Sequence, residues 1–292
     1  MRGRDVMKSK KELYPVSDTA ALVMLWASEY YRTKPLTRAY VDGLDLSSGE
    51  ELLRCYDRIC PWYPEVIINR KHFIRNAVEE LLRDRNKPTV IVNLGAGFSP
   101  LALELLPFLS DQVRFVEMDM RNMDRKTQLY ADLIPDPCRF ISCREADIGN
   151  TVCLDETLAG LVDYERTRLV VVMEGLTYYI GRPVMERVLG CLSGLALDET
   201  LIFEHLKPCN LVSNERKFIP YEIFSHVRDY TGMDRMTTYS ESAIRTMVGP
   251  AFSLRYSDMD EMEKRRTGIN TYFPTPDSGW LSCAVAARSS EE

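Results

Sequence analysis

Residues 89–119 read TVIVNLGAGFSPLALELLPFLSDQVRFVEMD, and this stretch decides the fold. A β-branched run, Val90–Val92, leads into a glycine turn at Gly95-Ala96-Gly97. A helix-like apolar segment follows, and a second short apolar strand then ends at Glu117-Met118-Asp119. This order of elements is a strand, a glycine turn, a helix and a second strand with acidic residues at its end. It is typical of a nucleotide-moiety site at the carboxyl edge of a parallel sheet.

The glycine turn departs from the two best-known phosphate-binding patterns. The dinucleotide fingerprint has a third glycine where this chain has Pro100, and no Lys-Ser or Lys-Thr pair follows as a phosphate loop requires. What remains is G-x-G with a downstream acid about 20 positions on, which suits a ribose diol without a pyrophosphate. S-adenosylmethionine (SAM) is therefore the leading candidate ligand, and a tight strand-to-helix turn without a ligand is the alternative.

Composition narrows the class of partner. The chain has 292 residues and a net charge of −6, which argues against a nucleic-acid binder that relies on a general basic field. No apolar run reaches the ~18 residues that span a bilayer, so we expect no membrane partner. The N-terminus lacks the apolar core of a secretory signal, and we expect a cytoplasmic protein with a small-molecule acceptor.

The cysteines indicate neither a metal site nor a disulfide framework. The eight cysteines are scattered, no C-x-x-C occurs, and the three histidines do not cluster with them. A structural zinc site is therefore not expected, and reduced thiols in the cytosol are the simplest interpretation.

Alternating strand and helix patterns predict an α/β fold. We expect a helical cap at 1–86 and a core at 87–292 with helices on both faces of a Rossmann-like, seven-stranded, mostly parallel sheet. The predicted strands are Thr89–Leu94, Val113–Met118, Arg139–Cys143, Arg168–Met173, Thr200–His205, Phe252–Asp258 and Trp280–Ala287. The last two predict a hairpin that makes the C-terminal strand antiparallel, with a turn-rich excursion between them.

Helical patterns fill the rest of the chain. They predict helices at 18–26, Leu52–Ile59, Glu65–Arg85, Pro100–Leu106, Arg121–Leu133, Asp155–Tyr164 and Pro183–Leu195. The serines at 47 and 48, three residues before two glutamates, predict a capping box for the second of these helices. The aromatic segment 207–239 is either a lid-like insertion over the substrate or an ordinary pair of connecting helices.

Several segments together resemble the leucine carboxyl methyltransferase family, which includes tetracenomycin-type polyketide O-methyltransferases. The matching segments are SDTA at 17–20, NRKHFIR at 69–75, VNLGAGF at 92–98, VEMD at 116–119 with RK at 125–126, and EGLTYYI at 174–180. The resemblance implies a class I SAM-dependent methyltransferase.

The resemblance also implies roles for single residues in cofactor binding. Arg75 would pair with the SAM carboxylate, with Arg70 as the competing choice, because a guanidinium binds a carboxylate through two hydrogen bonds. Glu117 or Asp119 would hold the ribose. Gly95, Ala96 and Gly97 would form the close backbone approach.

Two further positions follow from the later motifs. Asp147 and Ile148, in the segment ADI after the third strand, would lie beside adenine, although a turn or helix-cap aspartate is the alternative. Glu174 would end the fourth strand at the ligand edge of the sheet. Tyr178 would line the acceptor pocket or pack the following helix.

One departure bears on the acceptor. The leucine carboxyl enzymes carry a lysine a few residues after their N-terminal motif, and that place falls on Val23 or its apolar neighbours here. A small-molecule O-methyltransferase with a carboxylate or acidic hydroxyl acceptor therefore fits better than a protein carboxyl methyltransferase. A carboxylate needs no general base, whereas a hydroxyl can use His205 at the end of the fifth strand, unless that histidine is a loop residue without a catalytic role.

Two other classes share parts of the pattern. A nicotinamide-dependent oxidoreductase would share the strand, glycine turn and strand, but Pro100 and the late hairpin argue against it. A non-catalytic scaffold with the same fold is the second, and the intact glycines and acids argue against that interpretation.

Overall fold

A helical cap precedes the main sheet in the computed structural model. The structure describes residues 13–84, 87–158, 161–163, 165–193, 195–196, 198–232 and 235–289. The cap elements are β1 (Tyr14–Pro15), α1 (Asp18–Trp26), α2 (Ser28–Arg32), α3 (Pro35–Val41), β2 (Leu44–Asp45), α4 (Glu50–Ile59) and α5 (Tyr63–Leu81). The strands β1 and β2 pair in parallel, and α1 packs against α4 and α5.

The predicted capping box is wrong. Ser47 and Ser48 lie in a 3-10 turn, and α4 begins at Glu50 after Gly49, without a side-chain cap. The Ser47 hydroxyl donates to Asp45 and the Ser48 hydroxyl donates to the backbone oxygen of Val16, so both hydroxyls are used before the helix starts.

Gly49 brings this turn into direct contact with α1. A Cβ at position 49 would lie 2.6 Å from the Leu22 nitrogen and 2.8 Å from the Ala21 carbonyl carbon. Separations this short are sterically forbidden, so only glycine allows α1 to pack against the turn. This contact fixes α1 over the carboxyl edge of the main sheet.

The main sheet follows the cap. Its strands are β3 (Thr89–Leu94), β4 (Val113–Asp119), β5 (Ile141–Glu145), β6 (Arg168–Met173), β7 (Asp198–Leu206), β8 (Phe252–Asp258) and β9 (Leu281–Arg288). Within the described residues they pair in the order β5-β4-β3-β6-β7-β9-β8, and β9 is antiparallel to both of its neighbours. The predicted fold, a mostly parallel seven-stranded sheet with an antiparallel C-terminal strand, is confirmed.

Helices cover both faces of this sheet. They are α6 (Leu101–Glu104), α7 (Met123–Ala131), α8 (Thr151–Leu158), α9 (Arg182–Leu192), α10 (Phe218–Thr231), α11 (Glu241–Val248) and α12 (Met259–Thr267). The cap helices, including α5, and α12 pack on one face in a single apolar cluster with Ile91 and Val170. On the other face, α8, α9 and α11 pack with Val92 and Val171. Burial on both faces explains the apolar runs Val90–Val92 of β3 and Leu169–Met173 of β6.

Several predicted segments differ from the structure, among them the strand predicted at Arg139–Cys143, which lies at Ile141–Glu145. The excursion between β8 and β9 contains a helix, α12, whose Glu263 carboxylate accepts hydrogen bonds from the backbone nitrogens of Tyr272 and Phe273. The predicted helix Asp155–Tyr164 begins earlier, at Thr151, and residue 164 lies outside the described residues. An Asx turn at Asp147 directs the chain into this helix before the predicted start.

Two predictions about chain organisation stay open. The division at residues 86 and 87 remains a prediction, and residues 1–12, 85–86 and 290–292 of the two units lie outside the described part. The segment 207–239 contains α10, whose apolar side, Ile219, Ile223 and Val227, is buried. Among the described residues, no helix is long and apolar enough to cross a membrane.

Candidate active site

The glycine turn directly follows β3 and is hydrogen-bonded to the carboxyl end of the neighbouring strand β4. Gly95 and Gly97 have φ angles of 66° and 45°, a backbone conformation that favours glycine. The Gly97 nitrogen donates to Oδ2 of Asp119 at 2.8 Å, and the Ala96 nitrogen donates to the Met118 oxygen at 3.0 Å. The turn and the acidic end of β4 therefore form one rigid unit.

The two acids of β4 have different environments. Glu117 is fully buried, with its carboxylate 2.8 Å from Lys126 Nζ and accepting a hydrogen bond from the Tyr130 hydroxyl at 2.9 Å. Asp119 is partly exposed and lies beside Gly97 at the open edge. Glu117 is therefore occupied inside the protein, and Asp119, whose Oδ1 accepts from the Met120 nitrogen at 2.7 Å, is the partly exposed acid of the two.

Asp147 and Ile148 lie at the end of the next strand. The Ala146 nitrogen donates to the Asp119 oxygen at 2.8 Å, which places this segment directly beside the β4 end. Asp147 is exposed, and its Oδ1 accepts from the Gly149 nitrogen at 2.8 Å, so it also holds an Asx turn. Ile148 is buried in the core.

An open cavity lies at the same edge of the sheet. The helices α1 and α5, the glycine turn and the segment after β6 form its walls. The lining residues are Thr19, Ala20, Val23, Met24, Arg70, Lys71, Gly95, Ala96, Gly97, Phe98, Ser99, Glu174, Gly175, Tyr178 and Tyr179.

Two cations and two carboxylates form a buried cluster in this wall. Glu174 Oε1 lies 2.6 Å from Lys71 Nζ and 3.1 Å from Arg70 Nη2, and Glu174 Oε2 accepts from Ser99 at 3.3 Å. Arg70 also donates from Nη1 to Glu204 Oε1 at 2.9 Å. These contacts neutralise the cluster when all four groups are charged.

The cations decide the charge of Glu174. Burial opposes its ionisation, but Lys71 and Arg70 outweigh burial and lower the pKa of Glu174 to about 2. A carboxylate with such a pKa is a weak base, so Glu174 holds cationic partners rather than accepting a proton at neutral pH.

The two arginines of the NRKHFIR segment point in different directions. Arg70 lines the cavity and is buried, whereas Arg75 lies outside the lining and pairs with Glu79 at 2.5 Å. The Arg75 guanidinium faces Tyr30, whose hydroxyl donates to Glu104. The structure therefore brings Arg70, and not Arg75, together with the glycine turn.

His205 lies on the opposite side of β7 from the cavity. Its ring packs against Tyr256 and Tyr239, with centroids 5.3 Å and 6.5 Å away. Burial lowers the pKa of His205 to about 4. Among the described residues, His205 does not line the cavity. The prediction of a histidine base beside the acceptor therefore receives no geometric support.

Tyr178 does line the cavity. It is buried, and its ring packs against Tyr179 at 4.7 Å and edge-on against Phe224 of α10 at 5.5 Å. Burial raises the pKa of Tyr178 well above its usual value, so the phenol keeps its proton at neutral pH. Its place fits an acceptor wall, which was one of the two roles predicted for it.

The comparison with known families agrees with this geometry. A model of the leucine carboxyl methyltransferase family matches residues 10–193, more than half of the chain. The chain belongs to the leucine carboxyl methyltransferase family. It is a SAM-dependent methyltransferase, and SAM is its cofactor. A search of curated proteins finds no match.

Solved structures share the fold of this methyltransferase over nearly its whole length. A DUF574 family protein from Streptomyces avermitilis MA-4680 matches with 12% identity and a TM-score of 0.68, covering 94% of this chain and 98% of the other. A candidate methyltransferase from Thermobifida fusca YX matches with 15% identity and a TM-score of 0.62, covering 94% and 95%.

The sequence interpretation missed three polar residues of the methyltransferase cavity and its wall. They are Lys71, Ser99 and Glu204. Lys71 and Ser99 lie inside or beside motifs that the resemblance already singled out. Glu204 lies next to His205, and because side chains alternate along a strand, only one of the two could face the cavity side.

Proposed function

We propose that the protein methylates an oxygen atom of a small molecule, with a carboxylate as the favoured acceptor. The observation that carries this proposal is a buried, ion-paired cluster of Arg70, Lys71 and Glu174, which lines an open cavity beside the glycine turn. When bound, SAM would supply a methyl group activated by its sulfonium. The C–O bond would form as the C–S bond breaks, with the neutral thioether S-adenosylhomocysteine (SAH) as the leaving group.

The cluster fits the amino-acid end of the cofactor. That end carries one carboxylate and one ammonium group. Arg70 and Lys71 offer donors for the carboxylate, and Glu174, which stays ionised, offers an acceptor for the ammonium. Lys71 and Val23 line the same cavity. Val23 lies where the family has a lysine, and Lys71 brings an ammonium group to the cavity from α5. We infer that Lys71 takes over that contact.

The nucleoside end would lie along the strand ends. Asp119 is held beside Gly97 and has a partly exposed carboxylate that would accept hydrogen bonds from the ribose hydroxyls. Asp147 and Ile148 follow the neighbouring strand and would lie beside adenine. Glu117 remains a buried partner of Lys126 below this surface.

Asp119→Asn is expected to weaken SAH binding about 10–100-fold, because charge-assisted hydrogen bonds are worth about 1.5–3 kcal/mol. The amide oxygen can still accept from the Gly97 nitrogen, whereas the hydrogen bond that Oδ1 accepts from the exposed Met120 nitrogen is lost. Calorimetry measures the change in SAH affinity. The matched control is Asp111→Asn, which removes an exposed carboxylate paired with Arg139 away from the site. Equal affinities for the two variants would contradict the ribose role.

The cavity favours an acceptor that needs no deprotonation. The described lining contains no histidine, its carboxylate Glu174 is a weak base, and Tyr178 keeps its proton. A carboxylate is already ionised at neutral pH and requires only alignment with the methyl group. The chain's residues would then position and desolvate the acceptor rather than move a proton. An acidic hydroxyl is the second candidate acceptor.

Cavity shape supports a small acceptor over a protein carboxyl group. Met24 of α1 and Tyr179 line the cavity beside the charged cluster, and the Phe224 ring of α10 packs against Tyr178. Apolar and aromatic walls suit a small, partly apolar molecule. A protein carboxyl terminus is the alternative. A cytoplasmic location stays a prediction.

His205→Ala is expected to keep most of the methyl-transfer rate with a carboxylate acceptor, since the imidazole lies on the other side of β7. The assay follows labelled methyl from SAM into a panel of small aromatic and aliphatic acids and phenols. A rate loss of about 10²–10⁴-fold in this variant would instead identify His205 as a general base. Transfer to RNA, DNA or protein but to no small molecule would contradict the proposed function.

A further inference from the structure

Glu204 is a buried acid that no motif of the sequence singles out. It lies near the carboxyl end of β7 with its side chain on the α5 face of the sheet, and it is fully buried. Its neighbours are Arg70 from α5 and the backbone of Gly175 after β6. It does not line the cavity, so any influence on a ligand must pass through these partners.

One carboxylate holds both of these elements. Glu204 Oε1 accepts from Arg70 Nη1 at 2.9 Å and from the Gly175 nitrogen at 2.7 Å, and Oε2 lies 2.8 Å from Arg70 Nε. Gly175 has a φ of 71° and directly follows Glu174. Glu204 therefore fixes the plane of the guanidinium and the turn that presents Glu174 to the cavity.

We propose that Glu204 is the positioning residue of the cofactor site, and that it takes up a proton when the cofactor's carboxylate binds at Arg70 and Lys71. The proposal deepens the proposed function and rests on its assignment of the amino-acid end of SAM to this cluster. Glu204 itself touches neither the cofactor nor the acceptor.

The placement of charges gives the reason for proton uptake. The free cluster has two cations and two carboxylates, and a bound ligand adds a carboxylate next to Arg70 and an ammonium next to Glu174, so only Glu204 gains a like-charged neighbour without a new cation. Repulsion between like charges in a buried site favours protonation of one acid. Glu174 would gain the ligand's ammonium as a partner, whereas Glu204 would share Arg70 with the ligand's carboxylate. Glu204 is therefore the acid whose ionised form loses stabilisation.

The surroundings of Glu204 agree with this choice. Burial raises the pKa of Glu204 to about 7, and Glu174 adds to the rise while Arg70 opposes it. The groups that face Glu204 are Arg70, Lys71, Glu174, Tyr178, Tyr179 and Cys283. The last three keep their protons at neutral pH because burial raises their pKa values, in the case of Tyr179 to about 12.

The direction of the pH effect follows from linkage. If the pKa of Glu204 is higher in the complex than in the free protein, affinity is greatest below the free pKa. Affinity then falls as pH rises through the free pKa and levels off above the pKa of the complex. A rise of about one unit corresponds to a tenfold change in affinity.

The test is calorimetry of SAH binding to the whole chain from about pH 6 to about pH 9, in two buffers with different ionisation enthalpies. We expect net proton uptake by the wild type near neutral pH and an affinity that falls about tenfold over this range. 5′-Methylthioadenosine lacks the carboxylate and the ammonium, and should bind without proton uptake. A parallel titration of free SAH accounts for the ligand's own amino group.

Two variants separate positioning from general structure. Glu204→Gln keeps an acceptor for the Gly175 nitrogen but removes the titrating group, so its SAH affinity should vary less than about twofold over the same range. Glu199→Gln is the matched control, because Glu199 is a buried acid of the same strand that pairs with Arg288 instead. This control should keep the wild-type proton uptake.

The outcomes are distinct. SAH binding by the wild type without proton uptake overturns the inference and leaves the proposed function standing, and this measurement needs no variant to fold. A Glu204→Gln protein that keeps the wild-type pH profile also overturns it. No binding of SAH by the wild type contradicts the proposed function, and the inference falls with it.

Discussion

Replacing Arg70 with methionine is expected to remove measurable SAH binding and to lower the free energy of unfolding by about 3–5 kcal/mol. The guanidinium lies between Glu174 and Glu204, and both carboxylates are buried. Removing it leaves two acids with Lys71 as their only strong cationic neighbour within the described cluster. Urea unfolding gives the stability, and calorimetry gives the binding.

Arg75→Met is the matched control for this variant. Both arginines lie on α5, but Arg75 pairs with Glu79 away from the cavity. We expect this control to bind SAH like the wild type and to lose about 1 kcal/mol of stability or less. If Arg75→Met abolishes binding while Arg70→Met binds normally, the assignment of the cofactor carboxylate to Arg70 is contradicted.

Replacing Lys126 with methionine is expected to destabilise the fold by about 3–5 kcal/mol, because the Glu117 carboxylate then stays buried without its cation. Both side chains are fully buried and 2.8 Å apart, so solvent cannot compensate. The effect should fall on stability first, since Glu117 is fully buried at the end of β4. Urea unfolding measures it.

A double variant tests the cause of that loss. Adding Glu117→Gln to Lys126→Met removes the unpaired charge but keeps an acceptor for the Tyr130 hydroxyl. We expect the double variant to recover at least about half of the lost stability. Equal losses in the single and double variants would show that packing, not charge, explains the result.

The fold was predictable because its signals are strong and local. The apolar runs of β3 and β6, the glycine turn and the late pair of strands predict the sheet, and the structure confirms it. Boundaries were less predictable. The hydroxyls of Ser47 and Ser48 could cap a helix or bond to other groups, and only the packing of the cap decides between these partners.

The site was predictable in its backbone but less so in its charges. Arg70 and Arg75 are five residues apart on α5, and about 100° per residue separates them by about 140° around the axis. One sequence does not show which side faces the cavity. The same holds for Glu204 and His205, which point to opposite faces of β7 because strand side chains alternate.

The most direct test of the account is calorimetric titration of the wild-type chain with SAH, alongside NADH. We expect one SAH to bind per chain through the glycine turn, Asp119 and the Arg70–Lys71–Glu174 cluster, with no heat from NADH. No heat with SAH at millimolar concentration, or saturable binding of NADH instead, would contradict the central claim that this edge of the sheet is a SAM site.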